Sequence, residues 1–167
     1  MMVMETQEQS AGFVAGGAAG KLVVFTLDEL RYSLPLDSVE RIVRMVEITS
    51  LPKAPEIVAG VINVHGEILP VMNVRRRFRL PERQADLKDH LVIAHTSRRR
   101  VALGVDAVTG VVVGSAKQIT SGDQIMHGLD YVEGVVKLED GLILIHNLDT
   151  FLSFEEETAL EQALTAN

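Results

Sequence analysis

From Lys21 onward, short apolar runs alternate with polar turn residues, the pattern of an all-β fold. Leu22–Leu27 reads as a strand, turned by Asp28-Glu29 into a second strand over Arg31–Leu36. Asp37 caps a short helical turn ahead of a strand over Ile42–Val46, and a loop marked by Pro52 and Pro55 follows. Three hairpins come next. Val61–Val64 returns through His65-Gly66 into Ile68–Met72, and Leu91–Thr96 returns through Arg98–Arg100 into Val101–Val105. Val132–Leu138 returns through Asp140-Gly141, a strong two-residue turn signal, into Leu142–Ile145.

Two runs do not alternate: Val111-Val112-Val113 and Leu142-Ile143-Leu144-Ile145. A strand with one wet face should alternate, so both runs are expected to be covered on both sides. That places Val112 and Leu144 in the core together with Ile62, and points to two packed β units rather than one open sheet. The charged stretch around 75–90, which contains Pro81, is the expected boundary between them. The chain then closes on a helix and tail over 154–167. Ser153 and Glu156 form a capping box, and Ala159, Leu160, Ala163 and Leu164 an apolar stripe. Residues 1–20, with Gly16-Gly17-Ala18-Ala19-Gly20, read as a disordered tail. Gly20-Lys21 is not a phosphate loop, because Ala15 stands where a glycine is needed and Leu22 where Ser or Thr is needed.

Composition narrows the function classes. With 47% apolar residues the 167-residue chain can bury a sizeable core. It has no cysteine, which excludes disulfides, thiolate zinc sites and cysteine nucleophiles. A net charge of −7 argues against general affinity for nucleic acid or an anionic membrane. No apolar run approaches the ~18 residues of a membrane span. Nor does the N-terminus show a basic region followed by an apolar stretch, so the protein is expected in the cytoplasm.

No catalytic constellation is legible. Gly114-Ser115-Ala116 lacks the later glycine of a nucleophile elbow. His90 and His95 lie an odd number of residues apart, so one strand points them to opposite faces and they cannot share a metal ion. The acid pairs Asp28-Glu29 and Glu139-Asp140 fall in turns, where solvation explains them. No enzyme activity, metal or cofactor is expected. The arginine triplets need a separate reading. Arg98–Arg100 reads as a solvated hairpin tip, whereas for Arg75–Arg77 and Arg79 docking onto an acidic partner and plain solvation both stand. With no Trp, two Tyr and five Phe, stacking platforms for single-stranded nucleic acid are lacking.

The segment Gly60-Val61-Ile62-Asn63-Val64-His65-Gly66, continuing through Pro70 to Asn73-Val74-Arg75, resembles the signature hairpin of the CheW family. That pattern runs Gly-x-x-Asn-Leu-Arg-Gly-x-x-x-Pro-x-x-Asp-Leu-Arg. Gly60, Gly66 and Pro70 are read as architectural: glycine supplies positive φ, and a proline that cannot donate belongs at an edge or a non-bonded position. Leu22–Leu36, Asp37–Ile42, Leu51–Ile57, Val101–Val113 and Tyr131–Asp149 are similar to the rest of the family in order, so the resemblance covers 21–153. It implies two small five-stranded SH3-like barrels packed on a shared core, with a C-terminal helix. It also implies a non-enzymatic cytoplasmic adaptor, recruited to membrane receptor arrays without inserting in the bilayer. Its partners would be the chemoreceptor cytoplasmic tip and the regulatory domain of a CheA-type histidine kinase. A coupling protein of a non-chemotactic array is the alternative, and a small-barrel nucleic-acid binder the alternative from another class. Carried over by position, Val39, Arg41, Ile42, Asn63 and His65 would face the receptor, flanked by Val105 and Val108 from the other barrel. Each of the four apolar positions has an ordinary core reading beside this one. The family commonly has Arg where His65 stands, so the usual receptor contact is the point of departure.

Overall fold

The computed structural model describes residues 20–113, 119–121, 132–138 and 141–166. The readings of residues 1–19, of Gly114-Ser115-Ala116 and of Glu139-Asp140 lie outside them. The strands are β1 (Lys21–Leu27), β2 (Leu30–Pro35), β3 (Val39–Arg44), β4 (Val58–Val64), β5 (Glu67–Met72), β6 (His90–His95), β7 (Arg100–Val105), β8 (Ala107–Val113), β9 (Ile119–Ser121), β10 (Val132–Leu138) and β11 (Gly141–His146). A short helix α1 (Val74–Arg77) follows β5, and α2 (Phe154–Ala166) ends the chain. The turn expected around Asp37 is one turn of 3-10 helix over Leu36–Ser38, so the next strand begins at Val39 rather than Ile42.

Two compact units result. The first comprises residues 1–39 and 106–148, the second 40–105 and 149–167. The first holds a six-stranded sheet in the order β8-β1-β2-β11-β10-β9, the second a five-stranded sheet in the order β3-β6-β7-β5-β4. Both follow one plan. Two antiparallel hairpins lie side by side, and their second strands run parallel: β2 with β11 in one, β5 with β7 in the other. The all-β class, the two units and the final helix agree with the sequence reading. Two details are corrected. The short strand β9 pairs with β10 and gives the first sheet a sixth strand. The charged stretch 75–90 lies inside the second unit instead of dividing the two, because the chain crosses between units after residues 39, 105 and 148.

Each unit has an apolar cluster. In the first, Leu22, Val24, Val136, Ile143 and Ile145 are buried together, with Val112 packed against them. In the second, Met45, Ile62, Val64, Leu69, Val71, Leu91, Ile93 and Ala102 form the cluster. The runs covered on both faces are not the two singled out from the sequence. Among the described residues they include Leu22–Phe25 in β1, Tyr32–Pro35 in β2, Leu69–Met72 in β5 and Leu91–Ala94 in β6, where every residue is buried. Behind β1 the second face is closed by Phe25, Tyr32 and His146, whose rings stack, with 4.9 Å between the Tyr32 and His146 centroids. In β11, by contrast, Ile143 and Ile145 point inward, Leu144 is half-buried and Leu142 is 55% exposed. Leu142 is the second residue of β11 and pairs with the exposed Lys137 on β10. Val112 and Val113 are half-buried near the end of β8, an edge strand.

The helix α2 begins as read. Glu156 N–H donates to Ser153 Oγ at 3.1 Å, and Ser153 N–H donates to Glu156 Oε1 at 2.9 Å, a reciprocal capping box. Leu160 and Ala163 are buried, with Ala159 and Leu164 half-buried beside them. Burial alone would raise the Glu156 pKa, but the Ser153 N–H and the Arg77 guanidinium at 2.7 Å outweigh it and hold it below the ordinary glutamate range. A carboxylate depressed on folding contributes stability at neutral pH that is lost as pH falls through its folded value. Below about pH 4.3 the start of α2 should therefore loosen. Methyl NMR shifts of Leu160 and Ala163 should report this, and Glu156→Gln should abolish the transition. Superimposable titrations of the two proteins would contradict it.

Candidate functional site

The β4–β5 hairpin is built around two residues with left-handed backbone. His65 has φ 51° and Gly66 φ 88°, and Val64 pairs directly with Glu67, which defines a two-residue turn. Positive φ at both central residues is the pattern of a type I′ turn, whose twist matches that of the flanking strands. Histidine is among the few side chains that tolerate this conformation. Asn63 Oδ1 accepts the Gly66 N–H at 2.8 Å, so the polar residue in an apolar strand locks the turn from inside. Asn63, His65 and Gly66 are all exposed.

Gly60 and Pro70 have the architectural roles expected of them. Gly60 has φ 153°, lies at a register shift in the β4–β5 ladder, and lets the Thr49 backbone come close. Val61 donates to the Thr49 carbonyl at 2.8 Å and accepts from the Thr49 N–H at 2.9 Å. Both backbone groups of Val61 thus point away from its partner Pro70, which occupies a non-bonded pair and needs no donor toward β4. The proline is not at an edge, since β5 lies between β7 and β4.

The other carried-over residues fall in both units, but not in the grouping the resemblance implied. Arg41 is exposed on β3, with Ile42 and Val39 half-buried beside it. These three precede or begin the second unit, in which β3 and β4 form opposite edges of the sheet. Val108 is half-buried on β8 in the first unit. Val105 belongs to the second unit, the same as Asn63 and His65, and is only 1% exposed. It therefore lies beneath the surface and does not flank it.

Five of the six arginines in the two triplets have side-chain partners within the second unit, and Arg98 is exposed as the sequence reading expected. Arg99 is not solvated: its side chain is 17% exposed and donates to Glu157 at 2.7 Å and Glu161 at 2.6 Å. Burial alone would lower its pKa, and those two carboxylates raise it instead. Arg75 is buried and donates to the Pro81 carbonyl at 3.0 Å. Arg76 pairs with Glu56 and Glu82, and Arg77 with Glu156. Arg100 pairs with Glu67 and Glu40, which raise its pKa. The sequence reading missed this last group. A row of polar residues, Glu40, His95, Arg100 and Glu67, crosses the adjacent strands β3, β6, β7 and β5. Only the density of arginine in the chain signalled it, because the pairing carboxylates are far away in sequence.

Among the described residues, no group of three or more His, Asp or Glu side chains is placed to hold a metal ion. His90 and His95 stand at opposite ends of β6. No helix among those residues is long and apolar enough to cross a membrane. The arrangement offers a stiff, exposed turn and a charged row across a sheet, which are features of a binding surface.

Comparison with known proteins agrees. Residues 21–156 match the CheW-like domain. The chemotaxis protein CheW of Treponema pallidum is 27% identical over 142 residues, spanning 81% of this chain and 84% of that protein. CheW of Thermotoga maritima is 28% identical over 141 residues, spanning 84% and 91%. The crystal structure of the scaffolding protein TtCheW from Thermoanaerobacter tengcongensis superposes with a TM-score of 0.74 at 30% identity, covering 82% of this chain and 94% of that one. With the two-unit β fold and the signature hairpin in place, the chain belongs to the CheW-like family of chemotaxis scaffold proteins.

Proposed function

We propose that this protein couples the cytoplasmic tip of a chemoreceptor to the regulatory domain of a CheA-type histidine kinase, as a non-catalytic adaptor on the cytoplasmic side of a receptor array. The observation that carries the reading is the signature hairpin, held stiff by Asn63 and presenting His65 and Gly66 to solvent. A preorganised turn loses little entropy on binding, which suits a recognition element. Within the second unit, Arg41 and Asn63 supply polar contacts in this reading, and Ile42 supplies a half-exposed apolar one.

His65 sets the partner. An arginine offers five donors in a rigid fork and a permanent charge, whereas histidine offers two ring nitrogens on a shorter side chain. The cognate receptor is accordingly one whose tip does not demand the guanidinium fork at this turn. His65→Arg should leave binding to that tip unchanged or weaker, as measured by titration against cognate and non-cognate tips. A tenfold gain on the cognate tip would contradict the matched-partner reading. Affinity capture from the source organism tests the wider proposal, which requires a chemoreceptor and a CheA-type kinase among the recovered proteins. Recovery of neither would overturn it.

A further inference from the structure

The distal half of the signature hairpin has little backbone to hold it. On one side β5 pairs with β4, which forms an edge of the sheet. On the other, its parallel ladder with β7 comprises only Val71↔Ala102 and Met72↔Leu103. Pro70, immediately before that ladder, has no N–H with which to extend it toward the turn. From Glu67 to Pro70 the hairpin therefore runs beside β7 without backbone pairing to it.

A side chain spans that gap. Arg100, the first residue of β7, donates from its guanidinium to Glu67, the residue directly after the turn. Its Nε also lies 3.0 and 3.1 Å from the two oxygens of Glu40, and its Nη2 lies 2.8 Å from Oε1. Glu40 is the residue before Arg41 on β3. His95, the cross-strand partner of Arg100, places Nδ1 3.7 Å from the same carboxylate. One planar group thus ties the hairpin turn to the strand that carries Arg41, across the intervening β6. Lysine could not reproduce this, since a point charge on a flexible stem lacks the fork that engages two carboxylates in fixed directions.

We infer that Arg100 is the positioning residue of the receptor-facing surface: it fixes the hairpin turn relative to Arg41 and neutralises two carboxylates that would otherwise leave that surface acidic. This inference rests on the coupling reading above, but half of it can be tested without any partner. The group is partly exposed, with 32% of the Arg100 side chain and 51% of the Glu67 side chain accessible, so the effects should be moderate and salt-sensitive.

The test combines amide hydrogen exchange of the full chain with titration against the cognate receptor-tip fragment, for the unmodified protein, Arg100→Gln, Arg100→Lys and Glu67→Gln. In Arg100→Gln, exchange at Gly66, Glu67 and Ile68 should accelerate and tip affinity should fall, each about two- to fivefold, while exchange in β10 and β11 stays unchanged. Glu67→Gln should reproduce the faster hairpin exchange, and Arg100→Lys should restore part of both properties. High salt should narrow the differences. Unchanged hairpin exchange in Arg100→Gln would overturn the inference whatever the binding result. Faster exchange with undiminished tip affinity would overturn the link between the clamp and the surface. If the unmodified protein bound no receptor tip, the coupling reading would fall, and the exchange arm would show this failure apart from that of the clamp.

Discussion

Replacing Gly60 by alanine is expected to destabilise the second unit by about 3–5 kcal/mol, the sum of a strained backbone and a broken bridge. An added Cβ would lie 2.3 Å from the Thr49 carbonyl oxygen and 2.8 Å from Ile48 Cγ2. The side-chain methyl can move, but the carbonyl is fixed by the Val61 N–H. Relief therefore requires opening the Thr49–Val61 bridge, which leaves two backbone groups seeking new partners. The φ of 153° adds a conformation that side chains rarely adopt. A loss of this size is a large fraction of the ~5–15 kcal/mol that holds a typical domain together. Gly66→Ala is the matched control. Nothing lies within 4 Å of its added Cβ, so only the left-handed φ is charged, about 1–2 kcal/mol. Equilibrium denaturation should rank the two variants in that order, and a Gly60→Ala loss under 1 kcal/mol would contradict the packing described.

The second large effect belongs to the first unit. Ile143→Ala should cost about 2–5 kcal/mol, because the side chain is buried in the cluster with Leu22, Val24, Val136 and Ile145. Its neighbour Leu144 is only half-buried, so Leu144→Ala should cost roughly 1–2 kcal/mol. This contrast decides between a strand covered on both faces, which the run Leu142–Ile145 predicts from sequence, and the alternating strand in the structure. Equal losses at the two positions would favour the first.

The features legible from sequence were local. A turn dipeptide between apolar runs marked the β4–β5 hairpin, and a serine three residues before a glutamate marked the start of α2. The signature segment was recognisable because its glycines, asparagine and proline each meet a backbone demand within a few residues. The unit boundary was not legible, since hydrophobic alternation shows that strands exist and not which strands pair. The parallel pair β2 and β11 joins segments from opposite ends of the chain, and no periodicity records that. The same holds for the arginines. Arg99 meets carboxylates 58 and 62 residues further on, so a residue that looks solvated in sequence is half-buried and occupied in the fold. Val105 failed as a surface residue for a related reason: an apolar position in a family pattern does not say which side of the strand it takes.

The central claim is that one chain engages a receptor tip and a kinase regulatory domain at once. It is tested most directly by co-sedimentation of receptor-containing membranes with purified CheA-type kinase, with and without this protein. The account predicts that the kinase sediments with the membranes only when the protein is present, in a complex containing all three components. Sedimentation of the kinase to the same extent without the protein, or failure of the protein itself to sediment with the receptor, would contradict it.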